Sequence, residues 1–153
     1  MIGLSKMSIL KLKENDFQDY RRLMNLFANE FEDKKSYAEN PPPDKYVEKM
    51  LSDENLIFLV EKRSESIVGG LVAYTLNKFE QQRSEVYIYD LAVDSSFRRQ
   101  GIATKLINAL KPIAREKGAW VIFVQADCGD EPAIKLYESL GKKEEVLHFD
   151  IKV

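Results

Sequence analysis

The segment from Tyr87 to Leu110, YIYDLAVDSSFRRQGIATKLINAL, constrains this chain more than any other. It opens on an apolar run, Tyr87-Ile88-Tyr89 and Leu91-Ala92-Val93, interrupted by Asp90 alone, as expected of a strand buried on both faces. A polar turn follows, ending Arg98-Arg99-Gln100-Gly101-Ile102-Ala103, and beyond it apolar residues recur at helical spacing. A glycine-containing loop that opens a helix directly after a buried strand leaves unpaired N–H groups at the positive end of the helix dipole. Two arginines add charge and bidentate donors. The expected ligand is a phosphate or pyrophosphate.

Two common phosphate-binding patterns are excluded, because the chain has neither a Gly-Lys-Ser/Thr Walker sequence nor a GxGxxG fingerprint. What stands instead, Arg98-x-x-Gly101-x-Ala103, resembles the acetyl-CoA signature of the GNAT superfamily of N-acetyltransferases, R/Q-x-x-G-x-G/A. Leu91-Ala92-Val93 precedes it at the spacing GNAT enzymes use. The stretch from Asp130 to Gly141, DEPAIKLYESLG, is similar to the family's second signature, N-x-x-A-x-x-L-Y-x-x-x-G, with Asp130 in place of Asn and Lys142 where a Phe is usual. In finer detail, KFEQQRSEVYIYDLAV, RRQGIAT, VQADCGDEPA and EEVLHFDI are similar to the type I aminoglycoside 3-N-acetyltransferases, the gentamicin-modifying branch. This likeness is detailed in the second half and one of layout in the first.

Size and charge narrow the setting. A chain of 153 residues is read as one domain, 1–153, able to bury about two thirds of the surface its unfolded form exposes. The single Cys128 cannot form an internal bridge, and without a signal-like or membrane-length apolar run a reducing cytoplasm is expected. A net charge of −2 gives no pull toward nucleic acid or an anionic membrane. The charge is unevenly placed, however: residues 94–117 carry six basic and two acidic residues, whereas 127–150 carry seven acidic residues and three lysines. Such halves suit an anionic cofactor and a cationic second substrate, although ordinary solvated surface is the commoner reading of any one charge.

The elements can be read in order. Ile9 to Lys13 reads as a strand, and Asn15 or Asp16 caps a helix with Phe17, Tyr20, Leu23, Met24, Phe27 and Phe31 at core spacing. After Pro41-Pro42-Pro43, Asp44 caps a short helix. Asn55 to Glu61 and Ile67 to Leu76 form a hairpin, with Gly69 and Gly70 marking a bulge or a close contact. The strand from Glu85 follows, then the helix ending near Gly118, a buried strand from Ala119 to Ala126, a helix from Pro132 to Leu140 and a last strand from Glu145 to Ile151. The earlier strands should be antiparallel and the pair joined by the helix parallel. The resemblance implies an α/β GNAT fold, a mixed central sheet of about six or seven strands flanked by about four helices. The short last strand leaves a sheet edge to be covered, so a homodimer is expected.

Transfer of an acetyl group from a thioester to an amine needs a neutral amine, a base within reach, a donor for the developing oxyanion and an exit for the thiolate. Asp90 is the candidate base, since a lone carboxylate inside an apolar run is costly to bury without purpose or partner. It could also simply end the strand as a hydrogen-bond acceptor. The resemblance implies that Asp90 is the base, that the Leu91 N–H faces the acetyl carbonyl, that Leu91, Ala92 and Val93 line the pantetheine arm, and that Arg98, Arg99, Gln100, Gly101, Ile102, Ala103 and Thr104 wrap the pyrophosphate of acetyl-CoA. It implies Tyr137 as proton donor to the thiolate or as the group that orients it. On its own, a tyrosine there would be packing. Carboxylates are the expected partners of a cationic aminoglycoside, with Asp127, Asp130 and Glu131 placed where open α/β sheets bind ligands and Glu80 and Asp150 as weaker candidates. Cys128 has no histidine near it in sequence, His148 sits in an alternating strand, and nothing has metal-ligand spacing. The expected activity is acetylation of the 3-amino group on the 2-deoxystreptamine ring of gentamicin-type antibiotics, conferring resistance. The alternatives are a GNAT enzyme acting on a polyamine or lysine side chain and a non-catalytic CoA-binding module.

Overall fold

The computed structural model of the protein describes residues 8–153. Five strands, β1 (Ser8–Lys11), β2 (Leu56–Arg63), β3 (Ser66–Asn77), β4 (Ser84–Val93) and β5 (Ala119–Val124), form one sheet in that order. Neighbours from β1 to β4 are antiparallel, as their short connections require. The helices are α1 (Phe17–Glu30), α2 (Asp44–Leu51), α3 (Ile102–Glu116) and α4 (Glu131–Leu140), with single helical turns at Lys35–Glu39 and Ser95–Phe97. Among the described residues the strand count is therefore below the expected six or seven, and with these turns included the helical segments exceed the expected four.

The missing strand is the last one. Residues 141–153 form no strand, and the correction has a physical cause: alternation supplies one apolar face, but a strand also needs a neighbour for its backbone hydrogen bonds, and this segment has none among the described residues. Asp44 is also corrected, from cap to first residue of α2, since Pro43 holds the cap position and Asp44 pairs with Arg21 at 2.9 Å.

Up to Phe123 the chain forms one compact unit, and 124–153 a second. In the first, the sheet separates two apolar layers. Leu23, Phe27, Val47, Phe58, Val60 and Val72 pack together on the α1 and α2 side. Ile102, Leu106 and Leu110 of α3 cover the other face, where Ile88 and Leu71 are buried. Gly69 and Gly70 bring the helices close on either side: a Cβ on Gly69 would lie 2.7 Å from Ile102 Cγ2, and one on Gly70 would run into Leu23. The ladder also skips Val68 here, so both readings of the glycine pair hold. Gly118, at φ +72, ends α3, and Ser84 fastens that end to the start of β4 through bonds to Gly118 O (3.0 Å) and Lys117 O (2.7 Å).

Candidate active site

One irregularity in β4 creates the site. Val72 and Ala73 of β3 pair with Asp90 and Ile88, so Tyr89 is an extra residue in the ladder. By plain alternation Asp90 would follow Val86 and Ile88 into the apolar layer beneath α3. The bulge shifts the phase and sets Asp90 opposite Val72, on the α1 and α2 side. There it lines a cleft of about 190 Å³ with Tyr20, Met24, Tyr37, Phe58, Tyr74 and Tyr89.

Asp90 has a partner that the sequence reading did not find. The turn at Lys35–Glu39 carries Tyr37 back over α1, where its ring meets Phe27 and Phe31 at centroid distances of 5.8 and 5.6 Å. Its hydroxyl donates to Asp90 Oδ2 at 2.7 Å. Burial pushes the Asp90 carboxyl above the usual carboxylate range, and the Tyr37 bond pulls the other way. The Tyr37 hydroxyl is itself pushed well up, by burial and then by its bond to Asp90, so it stays a donor at neutral pH. Tyr74, Tyr89 and Tyr87 meet edge to face at 5.8 and 5.7 Å, and Tyr87 stacks on Phe123 at 4.7 Å. Aromatic faces beside a carboxylate form a setting in which an ammonium group is held both by charge and by cation–π attraction. The only signal for this wall was tyrosine at alternate positions 87 and 89.

The loop after β4 is shaped by its own hydrogen bonds. Asp94 N–H donates to Val68 O (2.8 Å), while its carboxylate accepts from Ser96 N–H (2.8 Å), starting the turn. Arg98 is not a mobile charge, because its guanidinium donates to Glu30 Oε2 at 2.7 Å. Among the described residues Arg99 forms no side-chain hydrogen bond or ion pair. Its φ of 60° is unusual for a non-glycine residue and turns the chain toward Gln100, whose side-chain oxygen accepts from Arg63 at 3.0 Å. Gly101, at φ +74, caps α3 in the left-handed region, and a Cβ there would meet nothing within 4 Å. That open space fronts the first turn of α3, where the N–H groups of Ile102, Ala103 and Thr104 precede the first intrahelical bond. The backbone thus fits an anionic diphosphate. Leu91, Ala92 and Val93 pair with Leu71, Gly70 and Gly69 along one edge of β4.

The other candidates are held by local bonds. Asp130 caps α4, accepting from Ala133 N–H at 3.3 Å, and Glu131 lies in the helix's first turn, so both favour its positive end. The Asp127 carbonyl accepts from Asp130 N–H at 3.1 Å, which puts the three acids in one turn. Burial, with a smaller push from the Asp130 charge, raises the Tyr137 hydroxyl on α4. Glu80 is an exposed residue occupied by Lys78 and Arg83 at 3.7 and 3.4 Å. Asp150 is exposed and meets His148 at 3.1 Å. Cys128 is an exposed free thiol.

Comparison with known proteins bears on this arrangement. The Acetyltransferase (GNAT) family matches residues 20–142. A crystal structure of an aminoglycoside acetyltransferase from an uncultured soil metagenomic sample is 47% identical, with a TM-score of 0.94, and the match covers 97% of this chain and 99% of that one. A second aminoglycoside acetyltransferase from such a sample, solved in complex with sisomicin, is 36% identical with a TM-score of 0.89, covering 96% of each chain. Human N-acetyltransferase 8 is 30% identical over 93 residues, 61% of this chain, and the aligned part spans 41% of that protein's length. The glycine-capped helix and the bulged strand before it both fall within the matched residues, and the chain belongs to the GNAT family of acetyltransferases.

Proposed function

We propose that residues 1–153 act as one acetyl-CoA-dependent domain that acetylates the 3-amino group of the 2-deoxystreptamine ring in gentamicin-type aminoglycosides. The observation that carries this is Asp90, turned by the Tyr89 bulge into an aromatic cleft and held there by Tyr37. The likeness to two aminoglycoside acetyltransferases, one solved with sisomicin, supports the substrate class.

In this reading the N–H groups of residues 102–104, with Arg99, hold the diphosphate of acetyl-CoA, and Leu91, Ala92 and Val93 align its pantetheine arm. The acceptor arrives as an ammonium, since a free alkylamine is mostly protonated at pH 7. Asp90 takes a proton from it, directly or through water, and the neutral nitrogen attacks the thioester carbonyl. The Leu91 N–H stabilises the oxyanion. As the C–N bond replaces the C–S bond, Tyr137 donates its proton to the departing thiolate, and the proton that the new amide nitrogen sheds returns through water to the phenolate. Asp127, Asp130 and Glu131 meet the remaining ammonium groups of the drug, with Glu80 and Asp150 in lesser roles. Acetylation removes one positive charge from a polycation, and resistance follows from weaker attraction to ribosomal RNA.

One feature favours a second reading. A cleft of about 190 Å³ with a single carboxylate also suits a thin primary amine such as spermidine or a lysine side chain. A thiol-release assay across gentamicin, spermidine and a lysine peptide, with the acetylated nitrogen located by NMR, separates these. Turnover on gentamicin with acetyl at the 3-amino position is the expected result. Spermidine as the better substrate would establish the second reading, and no thiol release with any amine would leave a CoA-binding module.

A further inference from the structure

Glu61, near the end of β2, is 0% exposed and is the only charged residue among the described ones to lie in the buried core. Alternation along β2 puts Phe58 and Val60 in the layer under α1 and α2, and Ile57, Leu59 and Glu61 on the opposite face. The ladder partner of Glu61 is Gly69, whose missing Cβ would lie 2.7 Å from Ile102 Cγ2 and 3.5 Å from Leu106 Cδ1. Paired residues of an antiparallel ladder project to one face, so the carboxylate enters the apolar layer beneath the start of α3. Neither of its oxygens has a hydrogen-bond partner among the described residues. A carboxylate buried in that state is costly, and packing alone would be better served by an apolar side chain.

Among the described residues its one ion-pair partner is Arg63, whose Nε stands 3.9 Å from Glu61 Oε1. The same guanidinium reaches the loop between β4 and α3 at two points. It lies over the Phe97 ring, 5.0 Å from the centroid, and its Nη1 donates to the Gln100 side-chain oxygen at 3.0 Å. Phe97 closes the turn that Asp94 starts, and Gln100 precedes the Gly101 cap. Contacts thus run from the buried carboxylate through Arg63 to both ends of residues 97–100, immediately before the open N–H groups of α3.

We propose that Glu61 is a positioning residue for the cofactor: it fixes the Arg63 guanidinium, and Arg63 holds Phe97 and Gln100 so that the loop presents the first N–H groups of α3 in a set geometry. This rests on the reading of that loop as the diphosphate site of acetyl-CoA. Charge by itself would give Glu61 the opposite effect. A carboxylate beneath a helix N-terminus repels a diphosphate and offsets part of the helix's positive end. The two effects differ in sign, so one substitution decides between them.

Glu61→Gln keeps the shape of the side chain and removes its charge. Titrated with acetyl-CoA in a calorimeter, the wild-type chain should bind, and Glu61→Gln should bind about tenfold more weakly, a size usual for coupling between a ligand site and a remote group. The loss should persist at high salt, since the pair is buried. The melting temperature of the unliganded variant should be no lower than that of the wild type. The change removes a desolvated charge, and Arg63, its side chain 22% exposed, keeps Gln100 and solvent as partners. A residue needed for packing alone would instead lose stability. Arg63→Gln should reproduce the weaker binding, and the double variant should bind no more weakly than Arg63→Gln, because both residues act through one contact. Tighter or unchanged binding by Glu61→Gln overturns the proposal, as does a lowered melting temperature, wild-type affinity in Arg63→Gln, or a double variant whose losses add. No heat from the wild-type chain would remove the acetyl-CoA reading itself, and this inference with it.

Discussion

The two units of this chain handle their functional residues in opposite ways. Up to Phe123 the chain embeds its candidate base in structure: Asp90 depends on a bulge, an aromatic wall and a bond from Tyr37, all resting on the layer packed against α1. From Val124 onward, Tyr137 and the acids Asp127, Asp130 and Glu131 sit in a unit with no buried side chain, held by one helix cap and turn hydrogen bonds. A segment of thirty residues lies below the roughly 40 that usually fold without outside support. Reactivity in the first unit is therefore set by desolvation. In the second, burial raises the Tyr137 hydroxyl as well, while the acids owe their places to local hydrogen bonds.

The comparison breaks most visibly at Asp90. Asp90→Asn should lower kcat by about 10²-fold or more, the loss of a general base, with acetyl-CoA affinity nearly unchanged by calorimetry. Undiminished turnover would remove Asp90 from the chemistry and leave the bulge without a purpose. Tyr137→Phe should be milder, about tenfold in kcat, because a thioester's thiolate leaves readily and a donor there helps less than the base does. A loss equal to that of Asp90→Asn would mean that the second unit is as tightly engaged as the first.

The sequence made the strand, the glycine loop and the helix after it legible because each depends on neighbours a few residues away. The loop that ends at Gly101 is a local feature, and its φ of +74 lies in a region that glycine enters without strain. Two other things were out of reach. The phase shift at Tyr89 depends on the register against β3, and nothing in YIYDLAV announces where an extra residue will be skipped. The bond from Tyr37 joins positions 53 residues apart, through a turn at Lys35–Glu39 to which the sequence reading assigned no element. The same limit explains the failed strand at 145–151, where alternation was real and the partner was not present in the described chain.

The two arginines sharpen the contrast within the first unit, because the loop holds them differently. Arg98 is committed to Glu30, while Arg99 is free of partners among the described residues. Arg99→Ala should weaken acetyl-CoA binding several-fold at low salt and less at high salt, as expected for an exposed charge on a phosphate. Arg98→Ala should have the smaller effect on affinity and act mainly by loosening the loop from α1. A reversed order would show that Arg98 leaves Glu30 when the diphosphate arrives, which Glu30→Gln should then make easier.

The smallest effect tests the bond that defines the cleft. Tyr37→Phe removes the one hydrogen bond that counters burial at Asp90, so the carboxyl should rise further above its ordinary range. A base must be ionised to act, so a raised carboxyl is protonated, and activity lost, at a higher pH on the way down. The acid limb of kcat/KM should therefore move to higher pH in the variant, with a modest change on the plateau. Stability carries a linked sign. A carboxyl whose folded value exceeds its unfolded one favours the native state below the unfolded value, and that contribution disappears as pH rises through the folded one. Tyr37→Phe widens that window, so its thermal unfolding should depend more steeply on pH between the ordinary and raised carboxylate values. An acid limb that stays where it was would mean that the titrating group is not Asp90, and the contrast between an embedded base and acids held by local turns would need another residue to stand on.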